Sequence, residues 1–241
     1  MSHATIDRLF AERPKFHRSG SEPVTWNSQD GVLRFIADTV SPEMNSLETG
    51  CGYSTVLFAA SGAKHVTVTP EAEEERMVRE YCADAGIDAS NLTFAIGPSH
   101  AVLPSLAEQG PLAFVYIDGA HGFPHPSVDW MYTEQRLALG GWMLVDDIRI
   151  PTCRMVHNFL AADSAWRLDR LIGDTSVFVK VAEGKNSAFW MPQGYNSAYP
   201  DFSFMPLHQR VKSTAFEATK GALRTVGLYD TVRKVLGRAA A

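Results

Sequence analysis

Three short stretches of this chain gather the residue types that do chemistry. The first is Ser46-Leu47-Glu48-Thr49-Gly50-Cys51-Gly52-Tyr53-Ser54-Thr55, where an acid, two glycines and several hydroxyls close a short apolar run. The adjoining segment, Thr55-Val56-Leu57-Phe58-Ala59-Ala60, is apolar and small, so the pattern reads as strand, tight turn and helix. Glycine permits positive φ angles and close backbone approach, which makes Gly50 and Gly52 candidates to cradle a nucleotide-type cofactor. A dinucleotide fingerprint would place a third glycine where Thr55 stands, and this disfavours NAD.

The other two stretches are Asp118-Gly119-Ala120-His121-Gly122 and Asp146-Asp147, each at the end of an apolar run. Three carboxylates converging from neighbouring strand ends repel one another, and a divalent cation is the economical compensation. Oxygen-only donors favour Mg²⁺, Mn²⁺ or Ca²⁺ over zinc. The competing reading has Asp118 and Asp146 capping the helices that come after them. His121 suits a general base near neutral pH, or else is a structural imidazole held by a carboxylate. His125 lies in a proline-flanked loop, His100 comes after the Gly97 turn as a candidate lining residue without a clear role, and His65 starts a strand away from the binding edge.

Such residues need a scaffold. Val32, Leu33, Phe35, Ile36 and Val40 have helical spacing and end before Ser41-Pro42. Strands are expected over 44–48, 65–69, 92–96, 112–118 and 142–146, with helices over 71–85, 99–108 and 128–139 between them. Strands alternating with helices argue for a parallel sheet covered on both faces. Runs at 166–171 and 175–181, separated by Gly173-Asp174, add an antiparallel edge hairpin. In such a sheet ligands bind outside the carboxyl ends of the strands, at Glu48, Thr69-Pro70-Glu71, Gly97-Pro98-Ser99, Asp118 and Asp146-Asp147.

A chain of 241 residues with 45% apolar content can bury a sizeable core. Its formal charge of −5 offers no general field for nucleic acid. The charge is uneven: residues 1–206 hold 15 Lys/Arg against 25 Asp/Glu, and residues 207–241 hold seven against two. That basic tail reads as two amphipathic helices broken at Gly227, packed on the domain or on a second subunit, with a membrane-surface contact disfavoured. Residues 184–206, with Phe189, Trp190, Tyr195, Tyr199 and Phe202, read as an irregular segment that packs. The three cysteines, Cys51, Cys82 and Cys153, form no CxxC pair. With no signal-peptide pattern and no long apolar run, a cytoplasmic location is expected.

The three stretches together resemble the class I S-adenosylmethionine-dependent methyltransferases. The resemblance rests on Glu48 to Thr55, Ile117-Asp118-Gly119-Ala120-His121, and Gly140-Gly141-Trp142-Met143-Leu144-Val145-Asp146-Asp147, and covers about residues 32–181. It implies a Rossmann-like, seven-stranded, mostly parallel sheet with an antiparallel edge hairpin, completed by a helical C-terminal extension. The expected organisation is a leader at 1–30 that could form a lid, a cofactor domain at 31–183 and an extension at 184–241. Cofactor contacts are implied for Glu48, Gly50, Gly52, Ser54, Thr55, Ser99 and Asp118. Thr69 stands where the family's ribose-binding acid usually ends the second strand, so that role passes to Glu71, unless its carboxylate simply favours a helix N-terminus; Pro98 stands where an acid often precedes the serine near adenine. Asp118, His121 and Asp146-Asp147 are further similar to the metal-dependent O-methyltransferases of sugar-type natural products. That implies Mg²⁺ on Asp118, Asp146 and Asp147, His121 as base, and a small-molecule hydroxyl as substrate. Asp129 and Trp130 on the next helix are candidates to line the substrate side, although a Trp at helical spacing is more often core. Metal-independent methylation and a non-catalytic cofactor-fold scaffold are the alternatives.

Overall fold

A computed structural model describes residues 3–106, 110–184, 193–198 and 201–236. Helix α1 (His3–Glu12) and a small hairpin of β1 (His17–Ser19) and β2 (Glu22–Val24) lead into α2 (Asp30–Thr39). Strands and helices then alternate through β3 (Asn45–Thr49), α3 (Tyr53–Ser61), β4 (Lys64–Thr69), α4 (Ala72–Asp84), β5 (Leu92–Ile96), α5 (Ser99–Val102), β6 (Leu112–Ile117), α6 (His125–Glu134) and β7 (Leu137–Val145). Helix α7 (Pro151–Ala161) precedes the hairpin of β8 (Trp166–Ile172) and β9 (Thr175–Lys180).

The main sheet has seven strands in the order β5-β4-β3-β6-β7-β9-β8. Strands β3 to β7 pair in parallel, and β9 pairs antiparallel with both β7 and β8. The Rossmann-like sheet with its edge hairpin therefore matches the expectation from the sequence. Side chains alternate between two cores, one on each face of the sheet. Phe114, Tyr116, Leu144 and Val177 join α1 to α4 on one side. Val115, Ile117, Met143, Val145 and Phe178 join α7 on the other. From β3 the sheet grows outward to β4 on one side and β6 on the other, which opens a crevice at their carboxyl ends.

Several boundaries differ from the sequence reading for local reasons. Helix α6 starts earlier than 128 and stops at Glu134, because Pro126 preorganises its first turn. Residue Leu137 is buried and pairs with Leu112, so β7 begins there and runs through Gly140-Gly141 instead of starting at Trp142. The helix expected over 99–108 is α5 and a 3₁₀ turn at Leu103–Leu106, since Pro104 removes a backbone donor. Its last two residues lie outside the described residues, as do Phe189, Trp190 and Tyr199.

The chain divides into two compact units, Met1–Tyr195 and Asn196–Ala241. A short helix α8 (Gly194–Ala198) spans the division, and the second unit continues with α9 (Leu207–Thr225) and α10 (Tyr229–Leu236). Gly227 breaks these last two at φ 71°. No residue of α9 is buried. Among the described residues no helix is long and apolar enough to cross a membrane. The three cysteines are buried free thiols.

Candidate active site

Backbone hydrogen bonds carry the parallel ladders one residue past the strand ends. The Gly50 N–H donates to Val68 O at 2.9 Å, Asp118 N–H to Thr49 O at 3.0 Å and Asp146 N–H to Ile117 O at 3.0 Å. Gly50, Asp118 and Asp146 thus stand side by side at the crevice. Gly50 has φ 97°, and a Cβ there would lie 2.2 Å from the Asp118 carbonyl oxygen, so only glycine allows this approach. In front of these turns is a cavity of about 730 Å³. Its walls are Gly50, Cys51, Asp118, Gly119, His121, Asp146 and Asp147 from the strand ends, Thr69, Pro70 and Glu74 beside them, and His17 with residues 25–29 from the leader.

At the base-bearing wall, Asp147 adopts φ 52°, a left-handed conformation uncommon for a residue with a side chain. It brings its carboxylate to the imidazole: His121 Nδ1 lies 3.1 Å from Asp147 Oδ2. The tautomer with its hydrogen on Nδ1 would face the Asp147 carboxylate and leave the lone pair on Nε2. That atom has no hydrogen-bond partner and lies 3.8 Å from Asp118 Oδ1. Nearby Asp118 raises the His121 pKa above its ordinary value, against an opposing effect of burial.

Behind this wall two hydroxyls bridge two acids. Ser28 Oγ lies 3.2 Å from Asp118 Oδ2, Tyr116 OH lies 3.0 Å from Ser28 Oγ, and Tyr116 OH lies 2.8 Å from Asp146 Oδ2. Three contacts need three protons and the hydroxyls supply two, so the chain is complete only when one carboxyl is protonated. Asp118 is the group that meets this need. Burial, with the Asp146 charge adding to it, pushes its pKa up to about 7, although His121 and Tyr116 act the other way.

The same bonds decide how well a divalent cation fits. Asp146 already accepts from Tyr116 through Oδ2, and from Thr175 Oγ1 and the Asp147 N–H through Oδ1, the last at 2.9 Å. Asp147 is turned to His121, and Asp118 to Ser28. Among the described residues no three His, Cys, Asp or Glu side chains are grouped to hold a metal. Asp118, Asp146 and Asp147 are all at the cavity as expected, but both Asp146 oxygens accept from protein donors and the three side chains are not grouped around one point, so the site does not fit the metal.

Other expected residues take different places. Glu48 is buried behind the turn, accepting from Ser54 Oγ at 2.6 Å, from Thr55 Oγ1, and from Thr67 Oγ1 at 3.1 Å. Ser54 and Thr55 therefore anchor Glu48 and do not line the cavity. Gly52 caps α3, its N–H donating to Thr55 Oγ1 at 2.9 Å. Glu71 is exposed at the N-cap of α4. Glu74, one turn on, instead reaches the cavity, accepting from Thr69 Oγ1 and lying 2.7 Å from His17 Nδ1. Ser99 opens α5 outside the cavity wall. Asp129 and Trp130 are not on the substrate side: Asp129 is fully buried and Trp130 packs on Phe159 with centroids 4.9 Å apart. His65 stacks on Phe58 in the core at 3.8 Å, and His125 begins α6 beside His100 at 5.4 Å.

Among curated protein sequences none matches the chain. Its residues 47–148 match the model of a family described as a methyltransferase domain. Among solved structures it is similar to a putative O-methyltransferase from Klebsiella pneumoniae, at 19% identity and TM-score 0.59 over 76% of this chain and 92% of that one. The O-methyltransferase TomG from Streptomyces achromogenes, involved in tomaymycin synthesis and solved with S-adenosylmethionine, aligns at 16% identity and TM-score 0.57 over 76% and 91% of the two chains. An O-methyltransferase from Bacillus cereus, solved with S-adenosylhomocysteine, aligns at 16% identity and TM-score 0.54 over 74% and 90%. Residues 47–148, which hold the glycine turn after β3 and the aspartates after β6 and β7, thus match a methyltransferase domain, and the chain shares the fold of these O-methyltransferases.

Proposed function

We propose that this enzyme methylates a hydroxyl oxygen of a small molecule, with His121 as general base and without a divalent metal. The observation that carries this reading is the His121 imidazole at the cavity wall, with Nδ1 3.1 Å from Asp147 Oδ2 and an unbonded Nε2 beside Asp118. S-adenosylmethionine, when bound, supplies an electrophilic methyl on a positively charged sulfur. The cavity suits such a group on its own evidence: Gly50 leaves room for close backbone approach, and Glu74, Asp146 and Asp147 give the walls an acidic character that favours a cation. Glu74 takes the ribose role expected of Glu71, because its carboxylate is the one at the cavity beside the end of β4.

His121 Nε2 is placed to take the acceptor hydroxyl proton, and Asp147 to stabilise the resulting imidazolium; the methyl would come from the bound sulfonium, whose sulfur–carbon bond breaks to leave a neutral thioether. Asp118, its pKa raised to about 7, is mostly protonated only below that pH, where it adds little competing negative charge. The leader segment 25–29 screens the site from water on one side.

The test is calorimetric titration of chelator-treated protein with S-adenosylhomocysteine, with and without Mg²⁺, and then a methyl-transfer screen over sugar and phenolic hydroxyls in EDTA. One-site binding and chelator-resistant turnover support the proposal. Turnover that is lost in EDTA and restored by Mg²⁺ would overturn its metal-free part, and no binding would favour a non-catalytic module.

A further inference from the structure

One buried acid has no part in this methyl transfer. Asp129 on α6 is 0% exposed, and neither carboxylate oxygen has a hydrogen-bond partner of good geometry. The Thr49 hydroxyl is likewise buried and unpartnered, as are His125 Nδ1 and His121 Nε2. Burial raises the Asp129 pKa, while the hydroxyls of Ser99 and Thr49, and the more distant His125 and His121, act to lower it. The acid therefore faces residues from three separate segments. Thr49 ends β3 just before the Gly50 turn, Ser99 opens α5 after the Gly97 turn, and the histidines flank the start of α6.

Thr49 also supports the loop that carries the base. A Cβ on Gly119 would lie 3.2 Å from both Cβ and Oγ1 of Thr49, so the Asp118-Gly119 backbone rests directly on this side chain. Thr49 is thus held between the Asp129 side of the fold and the turn leading to His121. A carboxylate buried with incomplete bonding is a costly choice for packing alone, and each such group calls for a specific explanation.

We infer that Asp129 is a positioning residue: through Thr49 and Ser99 it sets the spacing of the Gly50, Gly97 and Asp118 turns, and with it cofactor affinity and the placement of His121. The inference rests on the methyltransferase reading of the cavity. Neither Asp129 nor Thr49 lines that cavity, so an effect of either on cofactor binding has to be transmitted through the turns.

The experiment is calorimetric titration of S-adenosylhomocysteine into wild type, Asp129→Asn, Thr49→Val and the double variant, with melting temperatures recorded alongside. Each single variant is expected to bind at least tenfold more weakly, and the double variant about as weakly as the worse single one, because both break the same linkage. A residue that served stability alone would lower Tm while the folded protein kept wild-type affinity. That outcome, or strictly additive losses, would overturn the inference. Should Asp129→Asn fail to fold, Thr49→Val decides the matter, since wild-type affinity in that variant removes the linkage. If wild type itself takes no S-adenosylhomocysteine, the cofactor reading fails and this inference with it. Tight binding by wild type and both variants overturns the positioning role alone.

Discussion

Two acidic centres lie close together at the carboxyl edge of the sheet, one buried and the other opening onto the cavity, and are built in opposite ways. Glu48 on β3 is surrounded by donors: the hydroxyls of Ser54, Thr55 and Thr67 bond to it, and His65 Nε2 lies 3.2 Å away. On the other side of the same strand end, Asp118, Asp129 and His121 share too few protons and partners. Two hydroxyls serve three contacts between Asp118 and Asp146, while the Asp129 carboxylate and His121 Nε2 lack hydrogen-bond partners. A fully bonded acid fixes one backbone arrangement and offers nothing to a ligand. An under-bonded one keeps lone pairs and protons exchangeable, which is what proton transfer requires. Glu48 thus belongs to the architecture and the Asp118–His121 side to the chemistry, although both arise from equally acidic sequence.

The largest effect that would break this division is at His121. His121→Ala is expected to lower methyl transfer by roughly 10²–10⁴-fold while leaving S-adenosylhomocysteine affinity near wild type. Retained turnover in a single-turnover assay would remove the base from the mechanism. Glu48 should behave in the reverse way. Glu48→Ala strands three hydroxyls, and is expected to cost about 3–5 kcal/mol of stability in urea unfolding. A Glu48→Ala protein with wild-type stability and impaired turnover would move that acid to the chemical side.

The sequence carries most of this architecture and less of the site. The alternation of strands and helices is legible because buried parallel strands are continuous apolar runs, as in Leu112 to Ile117, and because Gly50 and Gly97 mark strand ends. Helix α7 is missing from the sequence reading, although Cys153, Val156 and Leu160 have helical spacing and Pro151 starts it. The leader hairpin is beyond reach for a better reason: strands of three residues have no measurable period. Proximity to Thr69 in the chain favours Glu71 over Glu74. Helix geometry instead carries Glu74 back over the strand end, and only the placed helix makes that return visible. The acids at 118, 146 and 147 stand out by type, but the donors that occupy them, Ser28 and Thr175, come from remote segments.

A smaller effect sharpens the role of Asp147. The base must be neutral to accept a proton, so activity should rise with pH through the His121 pKa, which lies above its ordinary value because of the acids around it, Asp118 foremost. Asp147→Asn removes one of those charges and is expected to move the acidic limb of the kcat profile to lower pH. It should also reduce the plateau by about tenfold through loss of tautomer control. An unshifted limb would mean that Asp147 orients the ring without contributing to its charge balance.

The smallest effect concerns stability and isolates Asp118. Its carboxyl has an ordinary value of 3.8 and is raised to about 7 in the folded chain, so the folded state holds the proton more tightly than the unfolded one. That contribution to stability is fully present below about pH 4 and is lost as pH rises through about 7. Asp118→Asn supplies a permanently neutral side chain at the same place, with an amide that can still donate to Ser28. Relative to wild type it should show little gain at pH 4 and a growing gain toward pH 8, reaching roughly 2–4 °C in Tm, the shift that ~1 kcal/mol produces in a domain of this size. Glu48 and Asp118 should therefore respond with opposite sign: neutralising the fully bonded acid weakens the fold, whereas neutralising the under-bonded one strengthens it at high pH. A Tm difference for Asp118→Asn that is the same at pH 4 and pH 8 would show that Asp118 ionises as an ordinary surface acid, and the proton shared along Ser28 and Tyr116 would then have to reside on Asp146.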